Sequence, residues 1–174
     1  MMKMKALTLP EFNQANETTL YDFLAQCCTS QHWIQCLMRE RPYDSVNDFK
    51  KRADFCWQQM TQPDLLEAFS GHPQIGDIST LQQKYQHNEG FSQQEQQSVE
   101  SASNETINAL AKANEEYLAK FGFIFIVCAT GKTAQQMLEL LNDRLPNSRE
   151  IELGNAAEEQ RKIFQLRIDK LLHE

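Results

Sequence analysis

Glycine and proline are scarce in this chain, at 6 and 5 residues among 174, about half their usual combined share. Architectures made of many short strands need more turn residues than this, so an all-β sandwich or barrel is excluded. No apolar run approaches the ~18 residues of a membrane span, and the opening MMKMKALTLPEF lacks an apolar secretory core. The closing LLHE is neither a lipidation box nor a peroxisomal signal. Basic charge is in deficit too. Seventeen Lys+Arg face 24 Asp+Glu, for a formal charge of −7 and a pI near 5.2. That field disfavours nucleic acid or an anionic membrane as a partner. The five cysteines, Cys27, Cys28, Cys36, Cys56 and Cys128, have no C-x-x-C spacing. Adjacent Cys27 and Cys28 are badly placed to bridge each other, so the expectation is five reduced thiols in a cytoplasmic protein.

What is present is helical. Hydrophobic residues make up 41% of the chain and charged residues 24%, enough to build a core without staples. Thr8 caps a short helix carrying Pro10 in its first turn, and Thr19–Cys28 has apolar residues at helical spacing. Ser30 caps a helix bearing Trp33, Ile34, Leu37 and Met38 that Pro42 stops. Ser45 starts another, through Phe49, Ala53, Cys56 and Trp57, and Pro63–Phe69 forms a shorter one. The stretch from Ser70 to Gly90 is weakly periodic and is expected to be a long connection, the kind of segment that often carries function. A long helical pattern follows from Ser92 toward Gly122, with a bend near Ser101–Asn104. Phe123–Ala129 (FIFIVCA) is β-like, but it has no partner strand and is expected to be a buried connector. Helices over Thr133–Leu145 and Ser148–Leu172 complete the chain. The expected fold is all-α, one compact multi-helix domain over residues 1–174.

Three polar features stand out. Arg167 shares a face of the last helix with Ile163 and Leu171, and Phe164, Leu166 and Ile168 make the segment broadly core-facing. An arginine there must snorkel or meet an anion, and periodicity by itself favours an internal ion pair or a rim position. His72, in Gly71-His72-Pro73, is presented by a stiffened turn, and an imidazole is the natural proton carrier near neutrality. An ordinary loop histidine fits the same spacing. Ser92-Gln93-Gln94-Glu95 reads as a capping box, whose exposed N–H groups also suit a polar ligand. His32, His87 and His173 read as solvated, and no His/Cys cluster has zinc spacing. Gly131-Lys132-Thr133 lacks the upstream glycine of a phosphate loop, since position 126 is Ile126. Trp33 and Trp57 fall on apolar helix faces and read as core.

Taken in order, these segments resemble one family. The matching elements are Trp33, Arg41-Pro42, Glu67-Ala68-Phe69, His72-Pro73-Gln74-Ile75-Gly76 and Ser92-x-x-Glu95-Gln96. They continue with Asn114–Tyr117, Lys120–Phe123, Phe125–Ala129, Arg144-Leu145 and Arg167. The ordered set is similar to the decarboxylases of 2-oxo-4-hydroxy-4-carboxy-5-ureidoimidazoline (OHCU). The resemblance implies an all-helical homodimer that uses no metal and no organic cofactor and converts OHCU to (S)-allantoin and CO2 in urate breakdown. It also implies that His72, Glu95 and Arg167 are catalytic. Pro73, Ser92, Gln93, Gln94, Glu95, Gln96, Phe125, Ile126, Val127, Cys128, Ala129 and Arg167 would bind substrate. Two departures, Gln97–Glu100 in place of a small turn and Ile124 in place of proline, bear on the shape of the pocket wall. The competing readings are a non-enzymatic helical interaction module and a decarboxylase of a related ureido compound.

Overall fold

Short-range capping accounts for where most helices begin. The structure, a computed structural model, describes residues 5–73, 78–85 and 103–174. Thr8 accepts from Glu11 N while Glu11 returns a bond to Thr8 N, which starts α1 (Leu9–Gln14). Asn16 caps α2 (Glu17–Cys27), Ser30 caps α3 (Gln31–Arg39) and Ser45 caps α4 (Val46–Gln58). Thr61 and Asp64 open α5 (Gln62–Ser70). Each such cap contributes about 1 kcal/mol by satisfying an N–H that the helix cannot. Then come α6 (Ile78–Tyr85), α7 (Asn104–Phe121, capped by Ser103), α8 (Ala134–Arg144, capped by Thr133) and α9 (Arg149–Leu171). Gly122 ends α7 in the left-handed region at φ 78°, where a side chain would be strained.

The described residues gather into two compact units. The first joins residues 1–72 with 154–174. Its core is aromatic. Phe12 meets Phe23 at 5.5 Å and Phe49 at 5.0 Å, and Phe164 of α9 lies between Trp33 (4.9 Å) and Trp57 (5.7 Å). Both indole N–H groups are satisfied, by Ala53 O at 3.1 Å and Ala157 O at 3.0 Å. Leu7–Thr8 (β1) pairs in parallel with Leu172–His173 (β2). The second unit spans 73–153. There α7 packs against α6 and α8, and Tyr117 sits against Phe121 (4.5 Å), Phe125 (5.2 Å) and Phe123 (5.9 Å).

Several expectations need correction. Cys36 and Cys56 form a disulfide, so only Cys27, Cys28 and Cys128 are free thiols. The pairing arises because α3 and α4 pack together and bring the two Cα atoms to 6.2 Å, inside the range a disulfide spans. The weakly periodic stretch after Ser70 contains α6, whose single buried residue, Leu81, leaves too faint a pattern to read. Leu166 is 39% exposed rather than core-facing. The buried stripe of α9 instead runs through Ala156, Gln160, Phe164, Ile168 and Leu171. Phe123–Ala129 is an irregular connector, as its unpaired sequence suggested. No helix among the described residues is long and apolar enough to cross a membrane.

Candidate active site

His72 follows directly from the end of α5. Its N–H donates to Phe69 O at 3.2 Å, and Gly71 beside it has no room for a side chain. A Cβ at Gly71 would lie 2.1 Å from Thr29 Oγ1 and 2.8 Å from Thr29 Cβ. Thr29 Oγ1 in turn donates to Glu67 O at 3.2 Å, which ties the turn to the segment between α2 and α3. The imidazole is half-buried, and its Nε2 lies against Oε1 of Gln160 on α9. Burial pushes the His72 pKa below the ordinary histidine value. The Gln160 hydrogen bond opposes that shift, and the positive charge of Arg167 adds to it. The ring is therefore neutral at pH 7 and has a lone pair to offer. Pro73 is exposed at the start of the second unit.

Arg167 is half-buried. Among the described residues no carboxylate lies within ion-pair distance of it. Its Nη1 donates to Gln26 O (3.1 Å) and Cys27 O (3.3 Å), the last carbonyls of α2. Those oxygens have no partner within the helix and carry the negative end of its dipole. Nε and Nη2 bond to no described group, so one edge of the guanidinium stays open to an anion. Burial drives the adjacent Cys27 and Cys28 thiols up to about 12 despite that positive charge, so neither is a nucleophile at neutral pH.

The Phe125–Ala129 wall belongs to the second unit and is partly buried, with Ile126 fully so. Arg144 Nη1 holds Ile126 O at 2.6 Å, and Lys132 Nζ holds Cys128 O at 2.7 Å. Backbone N–H groups of Phe125, Ile126, Val127 and Ala129 donate to no described group. Behind the wall, Glu152, fully buried, accepts from Tyr117 Oη (2.6 Å), Arg144 Nε (2.7 Å) and Asn147 Nδ2 (3.0 Å). Ser92, Gln93, Gln94, Glu95 and Gln96 lie outside the described residues, as do Gln74–Asp77.

Thus His72 and Arg167 occur in the same unit and sense each other's charge, while the wall residues have their own framework. Gln160 was missed in the sequence reading. The available signal was a lone amide in an otherwise apolar stripe, four residues from Ala156 on one side and Phe164 on the other. A groove of about 650 Å³ bordered by Glu17, Asp22, Arg39 and Arg41 contains none of these residues. Arg41 there is already tied to Phe12 O and Ala15 O.

Comparison with known proteins converges on one family. Its OHCU decarboxylase model matches residues 13–169. The uric acid degradation bifunctional protein TTL of Arabidopsis thaliana is 35% identical over 145 residues, covering 83% of this chain but 45% of that protein. The 2-oxo-4-hydroxy-4-carboxy-5-ureidoimidazoline decarboxylase of Halalkalicoccus jeotgali is 26% identical over 174 residues, covering 97% of this chain and 93% of that one. A crystal structure of OHCU decarboxylase in the presence of (S)-allantoin superposes with a TM-score of 0.70 at 35% identity. It covers 86% of this chain and 96% of that one. A family model spanning most of the chain and a solved relative matched over nearly its whole length agree, and the chain belongs to the OHCU decarboxylase family.

Proposed function

We propose that the protein is a carboxy-lyase that decarboxylates OHCU to (S)-allantoin and CO2 in urate breakdown, with residues 1–174 working as one catalytic domain. The observation that carries this reading is the pairing of a neutral, half-buried His72 with an Arg167 that lacks any carboxylate partner among the described residues. Arg167 orients the anionic substrate through its open edge. Backbone N–H groups of Phe125–Ala129 hold ring or ureido oxygens, with Pro73 and Ser92–Gln96 completing the wall. Glu95 poises the imidazole.

The electron flow is self-contained. The bond from C4 to the carboxylate breaks, and its electron pair forms a C4=C5 double bond while the C5=N pair moves onto nitrogen, which takes up a proton. A proton then leaves the 4-hydroxyl as the C4 carbonyl forms, and another arrives at C5 on one face. The conjugated ring is the electron sink. The protein supplies rigid binding, charge stabilisation and control of those protons through His72 and Glu95. Unassisted decay gives racemic allantoin, so stereocontrol is the diagnostic output. Freshly generated OHCU supplied to the protein should yield a circular-dichroism signal of (S)-allantoin growing faster than the blank. A racemic product formed at the blank rate would overturn the proposal.

Arg167's contact with the α2 carbonyls favours a second, structural role for it. Arg167→Lys keeps a cation at that helix end but loses the planar fork. Unchanged turnover in this variant would assign the residue to capping. We further propose a homodimer, as the family resemblance implies, and a place in the cytoplasm. Light scattering should then give twice the 20.2 kDa chain mass. Full burial of Cys56 would shield the Cys36–Cys56 bond from cellular thiols.

A further inference from the structure

Two polar residues are fully buried on α9, Glu152 with its cluster of partners and Gln160. Ala156, Phe164, Ile168 and Leu171 share a stripe with Gln160 and are all buried, and Gln160 itself is 0% exposed. Packing alone does not call for an amide there. Its Oε1 lies against Nε2 of His72, 88 residues away in sequence. Its Nε2, also buried, has no hydrogen-bond partner among the described residues. An unpaired amide in such a place is a standing cost to the fold, which a leucine of similar size would not carry. The side chain is thus half used, with its acceptor on the imidazole and its donor idle. Seven residues further on, a displacement that returns to almost the same face of a helix, stands Arg167. The same face therefore presents a cation with an open edge and an amide with an open N–H. The other ring nitrogen of His72, Nδ1, bonds to no described group.

We propose that Gln160 is a positioning and substrate-binding residue. Its Oε1 accepts the Nε2–H of His72, which fixes the imidazole with its lone pair on Nδ1, and its Nε2 donates to an oxygen of the oxygen-rich, anionic substrate. In the reaction, Nδ1 then takes the proton that leaves the 4-hydroxyl, and the new N–H bond replaces the O–H bond that breaks. The second half of this inference rests on the decarboxylase reading, whereas the first half does not. A tautomer held by an amide is a property of the protein alone.

The test uses the full chain with ¹⁵N-labelled histidine at a pH where the ring is neutral, the His72 signals being assigned by their loss in His72→Ala. Wild type should show a protonated Nε2 and a bare Nδ1. Gln160→Leu, which removes acceptor and donor together, should show a mixture of tautomers. It should lower kcat at least about tenfold, a fraction of the 10²–10⁴ that a positioned acid–base group contributes. Gln160→Glu keeps the acceptor and loses the donor. It should preserve the Nε2–H tautomer and most of kcat while raising KM about three- to tenfold. That split separates positioning from mere packing, and it remains readable if the leucine variant folds poorly. A wild-type His72 protonated at Nδ1 would mean the amide faces the other way and would overturn the proposal. So would a wild-type tautomer ratio with unchanged kcat and KM in both variants. Absence of stereoselective decarboxylation by wild type would instead strike the decarboxylase reading and leave the tautomer result standing.

Discussion

Two buried polar clusters in this molecule are built to opposite plans. In the second unit, the Glu152 carboxylate receives a tyrosine hydroxyl, a guanidinium and an amide, and Arg144 has a further bond to Ile126 O and stacks on Phe125 at 4.6 Å. In the first unit, counting described residues alone, the His72 imidazole has one partner, Gln160 has one partner and an idle donor, and Arg167 has an idle edge. A closed network of that kind rigidifies the backbone it touches, here the Phe125–Ala129 wall. An open one has binding capacity to spare. The difference teaches where to look for function, since buried polarity that is fully satisfied supports structure, whereas buried polarity left short points to a ligand.

The contrast can be broken by mutation. His72→Ala should cut turnover about 10²–10⁴-fold while shifting the denaturant midpoint little. Arg144→Ala strands Glu152 without its cation and should cost about 3–5 kcal/mol of stability, measured by urea unfolding. If His72→Ala destabilised the fold more than Arg144→Ala, the distinction would collapse. Opening the Cys36–Cys56 bond by Cys36→Ser with Cys56→Ser should remove about 3 kcal/mol, from the loop entropy of its 20-residue separation. Native protein should titrate three thiols rather than five, matching the three free cysteines. Gly71→Ala forces a Cβ into Thr29 and should cost about 1–3 kcal/mol, with a fall in kcat because the turn that presents His72 must move.

The smallest effect is on pH dependence and sharpens the same contrast. His72's folded pKa lies below its unfolded value of about 6.5. The unfolded chain therefore takes up this proton first as pH falls. The stability held by the neutral ring is complete above about pH 6.5 and declines as pH drops from there toward the lowered folded value. The acid limb of kcat/KM assigned to His72 should likewise lie below about 6.5. An acid limb above that value would contradict a burial-lowered imidazole.

How much was legible in the sequence follows from distance along the chain. Caps at Thr8, Ser30, Ser45 and Thr133 reach only three residues ahead, so their partners sit in the same stretch of text. His72 stood out through its own neighbours, Gly71 and Pro73. Gln160 did not, because its meaning depends on an imidazole 88 residues away. The Cys36–Cys56 bond and the β1–β2 pairing of Leu7 with Leu172 depend on packing that no local pattern encodes. The sequence pattern places Leu166 with the core because, with Ile163, it widens the apolar arc of the last helix.

The first unit is assembled from residues 1–72 and 154–174, with the second unit inserted between them. A ribosome adding about 5–20 residues per second therefore completes α1–α5 several seconds before it delivers Phe164, the ring that lies between Trp33 and Trp57. Until then both indoles lack their shared contact, and His72 waits for Gln160. The nascent chain carries an unfinished aromatic core through that interval.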